Sequence, residues 1–197
     1  MKKSILIPIL SIALAAVILF AAAAGLSGIR NSIAHEEHLQ IMQTVLPGSA
    51  SFTREAYSGD DANIRSVHRG ENGFVVETVT AGYNGDIVML VGVSNAGKVT
   101  GLVVRQMSET FGLGANALTD ADFLAQFLNT SGNVAIAAGA DAASFATTVE
   151  DSAEAEVTVD AISGATVTSK AIARSVNSAV AYVTGADVSS AATSWGG

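Results

Sequence analysis

A short turn rich in hydroxyl side chains holds the residues best suited to chemistry in this chain. It reads DAISGATVTS over residues 160–169. A β-branched run at 156–159 leads into it, and a helix-like run at 169–183 leads out. Unpaired N–H groups and the helix dipole make a helix start favourable for phosphate. A hydroxyl in this turn is therefore placed to hold a phosphate or to be esterified to one.

A plainer interpretation of the same turn is that it only caps the helix. Serine and threonine side chains commonly accept hydrogen bonds from the N–H groups of a first helical turn. Thr168 and Ser169 are candidates for this role. They could instead be donors that hydrogen-bond to the groups holding the phosphate. Gly164 and Ala165 are small and would leave the approach to a phosphate uncrowded.

The pattern Asp160-x-x-Ser163-Gly164-Ala165-Thr166 resembles the flavinylation motif of a family that carries FMN by a phosphoester bond to threonine. Its members include the G subunit of Rnf-type ferredoxin:NAD oxidoreductases and the C subunit of the sodium-pumping NADH:quinone oxidoreductase. The resemblance implies that FMN is joined to Thr166. It also implies a dedicated flavin transferase that uses FAD and Mg²⁺. Asp160 would then be recognised by that enzyme, or would bind its magnesium during attachment.

A second loop, MSETFGLG at residues 107–114, is by itself only a glycine-rich loop before a predicted helix over 120–128. It is similar, however, to a Ser-Glu-Thr-Pro-Gly-Leu-Gly loop that lies against the flavin in Rnf-type G subunits. The resemblance implies that the cofactor is contacted by four residues, Glu109, Thr110, Leu113 and Gly114. Phe111 replaces the proline, and its ring is expected either to stack on the isoalloxazine or to anchor the core.

Composition and charge narrow the possible classes of protein. The 197 residues include no cysteine, which excludes disulfides, cysteine-ligated iron–sulfur clusters, thioether-linked haem and a thiolate nucleophile. An electron carrier of this composition needs a flavin or another cofactor that does not use cysteine. All 18 acidic residues follow the first apolar run and give the rest of the chain a net charge near −10. Nucleic acid is therefore excluded as a partner, and anionic lipid surfaces would repel the domain.

Residues 4–25 form an apolar run without a charge, close to the ~20 residues that span a bilayer as a helix. Lys2 and Lys3 precede it, which places the N-terminus in the cytoplasm and the rest outside. A cleaved signal peptide is the alternative, with a cleavage site in the alanine stretch 21–24. We expect an uncleaved single-pass anchor in the cell membrane, because the run is longer than the apolar region of a usual signal peptide.

The pattern of the remaining chain predicts an α+β fold, an antiparallel sheet with packed helices. Strands are predicted at 74–80, 86–94 and 98–106, with tight turns between them. Residues 49–72 are expected to be irregular, and 129–154 to be surface strand and loop. The final helix should present an apolar stripe and stop at Gly185. The predicted organisation is an anchor (1–28), a helical stalk (29–48), an extracytoplasmic FMN-binding domain (49–185) and a disordered tail (186–197).

Three functions remain open from the sequence. The resemblance favours a flavinylated electron-transfer subunit of an ion-translocating Rnf-type complex, with other membrane subunits as partners. A free-standing flavinylated carrier outside the cytoplasm is the second, and an anchored binding module without a redox cofactor is the third. His35 and His38 flank two glutamates, but without a third ligand nearby they indicate a solvated helix face rather than a metal site.

Overall fold

The computed structural model describes residues 35–109, 114–131, 134–137 and 157–185. The chain divides into two compact units, Met1–Gln40 and Ile41–Gly197, and the second of these contains the sheet and the final helix. A helix, α1, covers residues 35–45, and its part from residue 41 belongs to the second unit. The helix ends two residues before Pro47, because proline restricts the residue before it to extended conformations.

A five-stranded antiparallel sheet forms the centre of the unit, with the strands in chain order. The strands are β1 (Thr53–Glu55), β2 (Ile64–Arg69), β3 (Gly73–Ala81), β4 (Asp86–Ser94) and β5 (Val99–Gln106). The predicted meander of the last three strands is confirmed. The prediction that residues 49–72 are irregular is wrong, because β1 and β2 lie within them and extend the sheet by two strands.

Short elements connect this sheet to the final helix. They are α2 (Gly114–Thr119), α3 (Ala121–Ala125), β6 (Val134–Ala137) and β7 (Val157–Asp160), followed by α4 (Thr166–Thr184). β6 and β7 form a separate parallel pair. The helix predicted over 120–128 is shorter than expected, with Asp120 as its cap accepting from the N–H groups of Asp122 and Phe123. α2 was not predicted.

Helix α4 packs on one face of the sheet, against β3 and β4. Its stripe of Ile172, Val176 and Val180 is fully buried, as the 3.6-residue period predicts. Thr80 of β3 donates from Oγ1 to the carbonyl of Ala171 (3.1 Å) and so ties helix to sheet. The helix ends where predicted, at Gly185, which adopts φ 70° and donates to the carbonyl of Ala181.

The far end of α4 carries an aromatic cluster. The Tyr182 hydroxyl donates to Glu55 Oε2 (3.1 Å), and its ring meets Phe74 and Tyr57 edge to face, with centroids 5.7 and 5.9 Å apart. Burial, and next the hydrogen bond to the carboxylate of Glu55, raises the pKa of Tyr182 above its usual 10.0. The folded state therefore favours the neutral phenol.

This raised pKa predicts a loss of stability in base. Above about pH 10 the unfolded chain ionises Tyr182 while the folded chain resists, so the free energy of unfolding falls as pH rises. Tyr182→Phe keeps the ring and should flatten that fall in urea titrations between about pH 9 and 11. Tyr83→Phe is the control, since Tyr83 is 73% exposed and its removal should leave the slope unchanged.

Within the described residues, no helix has both the length and the apolar character that a membrane crossing requires. The predicted anchor (1–28), the first part of the predicted stalk and the predicted tail (186–197) lie outside the described residues.

Candidate functional site

The turn between β7 and α4 is held in a fixed shape by its own backbone. The N–H of Ala165 donates to the carbonyl of Ile162 (2.9 Å), which closes a tight turn. Gly164 lies inside it at φ 76°, a left-handed conformation that a residue with a Cβ adopts only under strain. The glycine of the motif is therefore required by the turn itself. Ser163 and Gly164 are both exposed.

Helix α4 begins three residues earlier than the sequence predicts, at Thr166 instead of Ser169. Its cap is Ala165, which has no side chain able to accept a hydrogen bond, and no side-chain cap bond is made. The interpretation of Thr168 or Ser169 as a cap is therefore wrong. The N–H groups of the first turn carry the positive end of the helix dipole, and the cap residue offers them no side-chain partner. This arrangement fits a phosphate group.

Ser169 supports the turn from inside the molecule. Its hydroxyl is fully buried, donates to the carbonyl of Ala165 (2.9 Å) and accepts from the N–H of Ile162 (3.4 Å). These bonds join the start of α4 to the residues that precede it. The Ser169 hydroxyl is therefore hydrogen-bonded on both sides within the protein.

The hydroxyl-bearing residues of the motif differ in exposure. Thr166 is the first residue of α4 and is half-buried, whereas Thr168 is 1% exposed. In the part of the chain that the structure describes, no side-chain hydrogen bond is formed by Thr166. Asp160 ends β7 with an exposed side chain, and its N–H donates to Gln126 Oε1 (3.1 Å). The exposure of Asp160 is compatible with recognition by another molecule.

The two motifs found in the sequence meet at this helix start. Thr168 Oγ1 donates to Glu109 Oε2 (2.7 Å) across 59 positions of sequence. The other carboxylate oxygen, Oε1, accepts from the N–H of Asn84 in the β3–β4 turn (3.2 Å). Asn84 Nδ2 in turn donates to the carbonyl of Ser108 (2.8 Å). One carboxylate therefore joins the β3–β4 turn, the loop after β5 and the first turn of α4.

Two glycines leave room for this carboxylate. A Cβ at Gly114 would overlap Glu109 Oε2 and would lie 2.5 Å from Thr168 Oγ1. A Cβ at Gly82 would overlap Glu109 Oε1 and would come within 2.9 Å of the carbonyl of Gly85. Gly114 is the first residue of α2 and not part of a loop as expected. A Cβ at either position would therefore displace the carboxylate from its place.

A cation on α4 lies next to the β3–β4 turn. Arg174 donates to the carbonyl of Ala81 (2.7 Å), the residue that ends β3. Burial lowers the pKa of the guanidinium below its usual range, but the group remains charged at neutral pH. Arg174 thus adds a second connection between α4 and the β3–β4 turn.

Sequence reasoning named most of the residues around the start of α4. It predicted the β3–β4 turn as a hairpin but missed that this turn contacts the site. The pattern of residues 83–85 indicates only a hairpin, and no local pattern indicates that Asn84 reaches Glu109. Thr110, Phe111 and Leu113 lie outside the described residues, so their predicted contacts stay predictions. No three His, Asp or Glu side chains come close enough to hold a metal ion in the described ranges.

Comparison with known proteins covers this same region. The model of the FMN-binding domain family matches residues 82–181, which include both motifs and the β3–β4 turn. The G subunit of a proton-translocating ferredoxin:NAD(+) oxidoreductase complex from Clostridium ljungdahlii is 39% identical over 111 residues, 56% of this chain and 53% of that protein. The G subunit of an ion-translocating oxidoreductase complex from Methanosarcina acetivorans is 33% identical over 162 residues, 75% of this chain and 76% of that protein.

A third relative is the G subunit of a Na(+)-translocating ferredoxin:NAD(+) oxidoreductase complex from Acetobacterium woodii, 35% identical over 55% of this chain and 47% of that protein. The chain thus spans about half the length of the Clostridium ljungdahlii and Acetobacterium woodii proteins and about three quarters of the Methanosarcina acetivorans protein. Among solved structures, that of Shewanella oneidensis NqrC is similar with a TM-score of 0.44 and 18% identity, covering 74% of this chain and 73% of that one.

Proposed function

We propose, because the chain belongs to the FMN-binding domain family, that it is an FMN-carrying electron-transfer subunit. Its similarity to the G subunits of Rnf-type complexes supports this role. The complex would be a membrane-bound, ion-translocating ferredoxin:NAD oxidoreductase. FMN supplies the redox chemistry when bound, and the chain supplies binding and orientation. The other membrane subunits of the complex would donate electrons to this FMN and accept electrons from it.

One observation carries this proposal: the bond between Thr168 and Glu109. It brings the two motifs of the flavin-carrying family to the same helix start. Two motifs that served only as a cap and a loop would have no reason to meet. Here they meet at a helix start whose cap makes no side-chain bond and whose first residue, Thr166, is half-buried.

We propose that Thr166 is the point of attachment. Its Oγ1 would bond to the phosphorus of the FMN half of FAD while the bond from that phosphorus to AMP breaks. AMP leaves, the hydroxyl proton passes to a base of the transferase, and no electron is transferred. The phosphate oxygens of the product would lie at the first-turn N–H groups of α4, where the dipole stabilises negative charge.

A covalent link suits a domain outside the cytoplasm, where a dissociated cofactor would be lost by dilution. The apolar run at 4–25 would anchor the chain, with the domain on the far side of the membrane. Asp160 would be recognised by the flavin transferase or would bind its Mg²⁺ during attachment. Its exposed position at the end of β7 supports access for another protein.

The test is to produce the full chain with and without a Mg²⁺-dependent flavin transferase. With it, we expect an intact mass increased by one FMN less one water, and yellow colour that survives denaturation. Without it, we expect the unmodified mass. A chain that stays colourless and unmodified with an active transferase, shown active on another substrate, would contradict the proposal and favour a binding module without a redox cofactor.

A further inference from the structure

Both oxygens of the Glu109 carboxylate accept hydrogen bonds from the protein. Oε2 accepts from the hydroxyl of Thr168 and Oε1 from the N–H of Asn84. It also lies against the backbone at Gly82 and Gly114, where no Cβ fits without displacing it. A swing of the carboxylate toward a ligand would break two hydrogen bonds, one of them to the buried Thr168. Bonds of this kind, to a charged group, are among the stronger hydrogen bonds in proteins.

We propose that Glu109 is a positioning residue: it fixes the orientation of the first turn of α4 and so sets the direction of the Thr166 hydroxyl. Glu109 would then act through Thr168 and Asn84 and not by touching the cofactor. This inference rests on the proposed function, since it concerns the flavin acceptor of the same site.

Helix geometry connects the anchored residue to the acceptor. Thr166 and Thr168 are two positions apart, and successive residues turn by about 100° in a helix of about 3.6 residues per turn. Side chains at i and i+2 therefore point to nearly opposite sides. Holding Thr168 inward, where it is 1% exposed, turns Thr166 away from the interior. The half-buried state of Thr166 agrees with this direction.

The bond to Glu109 matters because the other hydrogen bonds at the start of α4 are local. The cap Ala165 makes no side-chain bond, and Ser169 reaches only the turn that precedes the helix. The bond from Thr168 to Glu109 is thus the link from the first turn to the β3–β4 turn and to the loop after β5. Without it, the first turn can shift while the rest of α4 stays packed on the sheet.

The predicted effect is on the transfer step. In Glu109→Ala, we expect kcat for flavin attachment to fall roughly ten- to hundredfold, as small misplacements of reacting groups do, with KM for the chain nearly unchanged. Visible circular dichroism of the attached flavin should also change, because the phosphate is held differently. Single-turnover mass spectrometry with excess transferase measures the rate.

The conservative variant separates hydrogen bonding from charge. In Glu109→Gln, the amide oxygen can accept from the N–H of Asn84 while the amide nitrogen donates to Thr168 Oγ1, so the connection survives without the charge. We expect attachment within about threefold of the native rate. A glutamine variant as slow as the alanine variant overturns the proposal, since charge would then be the cause. Glu77→Gln is the control; its carboxylate accepts from Ser66 within the sheet, and its attachment rate should be native.

Two further variants break the same connection from other sides. Gly114→Ala displaces the Glu109 carboxylate and the Thr168 hydroxyl, and Thr168→Val removes the donor at nearly constant volume. Both should slow attachment like Glu109→Ala, and Thr168→Ser should restore it. A native rate of flavin attachment in a folded Glu109→Ala chain overturns the proposal. If that variant does not fold, native attachment rates in folded Gly114→Ala and Thr168→Val chains overturn it instead. If the native chain itself takes up no FMN, the proposed function fails instead.

Discussion

Thr166→Ala should abolish covalent flavin completely, so that the chain made with a flavin transferase stays colourless and keeps its unmodified mass. The reason is chemical: alanine has no oxygen to bond to phosphorus. The fold should survive, because Thr166 makes no side-chain hydrogen bond within the described residues and alanine is the best helix former. Intact mass and the thermal midpoint of the unmodified chain measure the two effects.

Ser163→Ala is the matched control for Thr166→Ala. Ser163 is the hydroxyl residue three positions earlier, exposed in the turn before the helix, and its removal should leave one FMN per chain. Thr166→Ser keeps an oxygen at the acceptor position and should still be modified, more slowly, because serine loses the χ1 restriction of a β-branched residue. An FMN-sized increment on Thr166→Ala would show that another residue is the acceptor.

The antiparallel meander was readable from sequence because its signals are local. β3, β4 and β5 are runs of β-branched and apolar residues separated by Asn-Gly and Ala-Gly turns, which fix both strand limits and pairing. β1 and β2 lack that signal. β2 buries Ile64 and Val67 but also presents Arg65, His68 and Arg69 in six positions, so its strand state is stabilised by pairing with β3.

The sequence indicates which residues belong to the candidate site, but it does not indicate which of them contact one another. Each motif is a short local pattern, but the bond between Glu109 and Thr168 joins residues 59 positions apart. Local patterns also carry no information on the start of α4. Thr166 to Thr168 are predicted as turn from the small and hydroxyl-bearing residues around them, whereas the bond from Thr168 to Glu109 stabilises them as helix.

Two strands of the sheet lack side chains at one pair of facing positions, and only the tertiary structure shows why. Gly92 of β4 and Gly101 of β5 are directly paired. The backbone of Val45, at the end of α1, lies over this pair, and Thr100 Oγ1 donates to its carbonyl (2.6 Å). Glycines inside strands often mark such a close approach of another segment. The segment held there buries Met42, Val45 and Leu46 almost completely.

Gly92→Ala should therefore destabilise the domain strongly. A Cβ at Gly92 would overlap the carbonyl oxygen of Val45, lie 2.5 Å from its carbonyl carbon and 2.7 Å from Thr100 Oγ1. Two of these atoms are backbone and cannot turn aside as a side chain does. Overpacking costs about 1–3 kcal/mol, and losing the hydrogen bond to Val45 adds about 1 kcal/mol. We expect the free energy of unfolding to fall by about 3 kcal/mol, measured by urea denaturation.

Gly59→Ala is the matched control for Gly92→Ala, because the atoms that its Cβ would meet belong to the side chain of Tyr57, which can move at the cost of its hydrogen bond with the N–H of Asp61. Its effect should stay near about 1 kcal/mol, the typical cost of losing one hydrogen bond. Gly101→Ala should resemble Gly92→Ala, since its Cβ would lie 2.8 Å from both Cα and the carbonyl oxygen of Val45. The double variant should cost less than the sum, because both single changes displace the same segment. Equal stability of the Gly59 and Gly92 variants would show that the end of α1 does not lie on the sheet in solution.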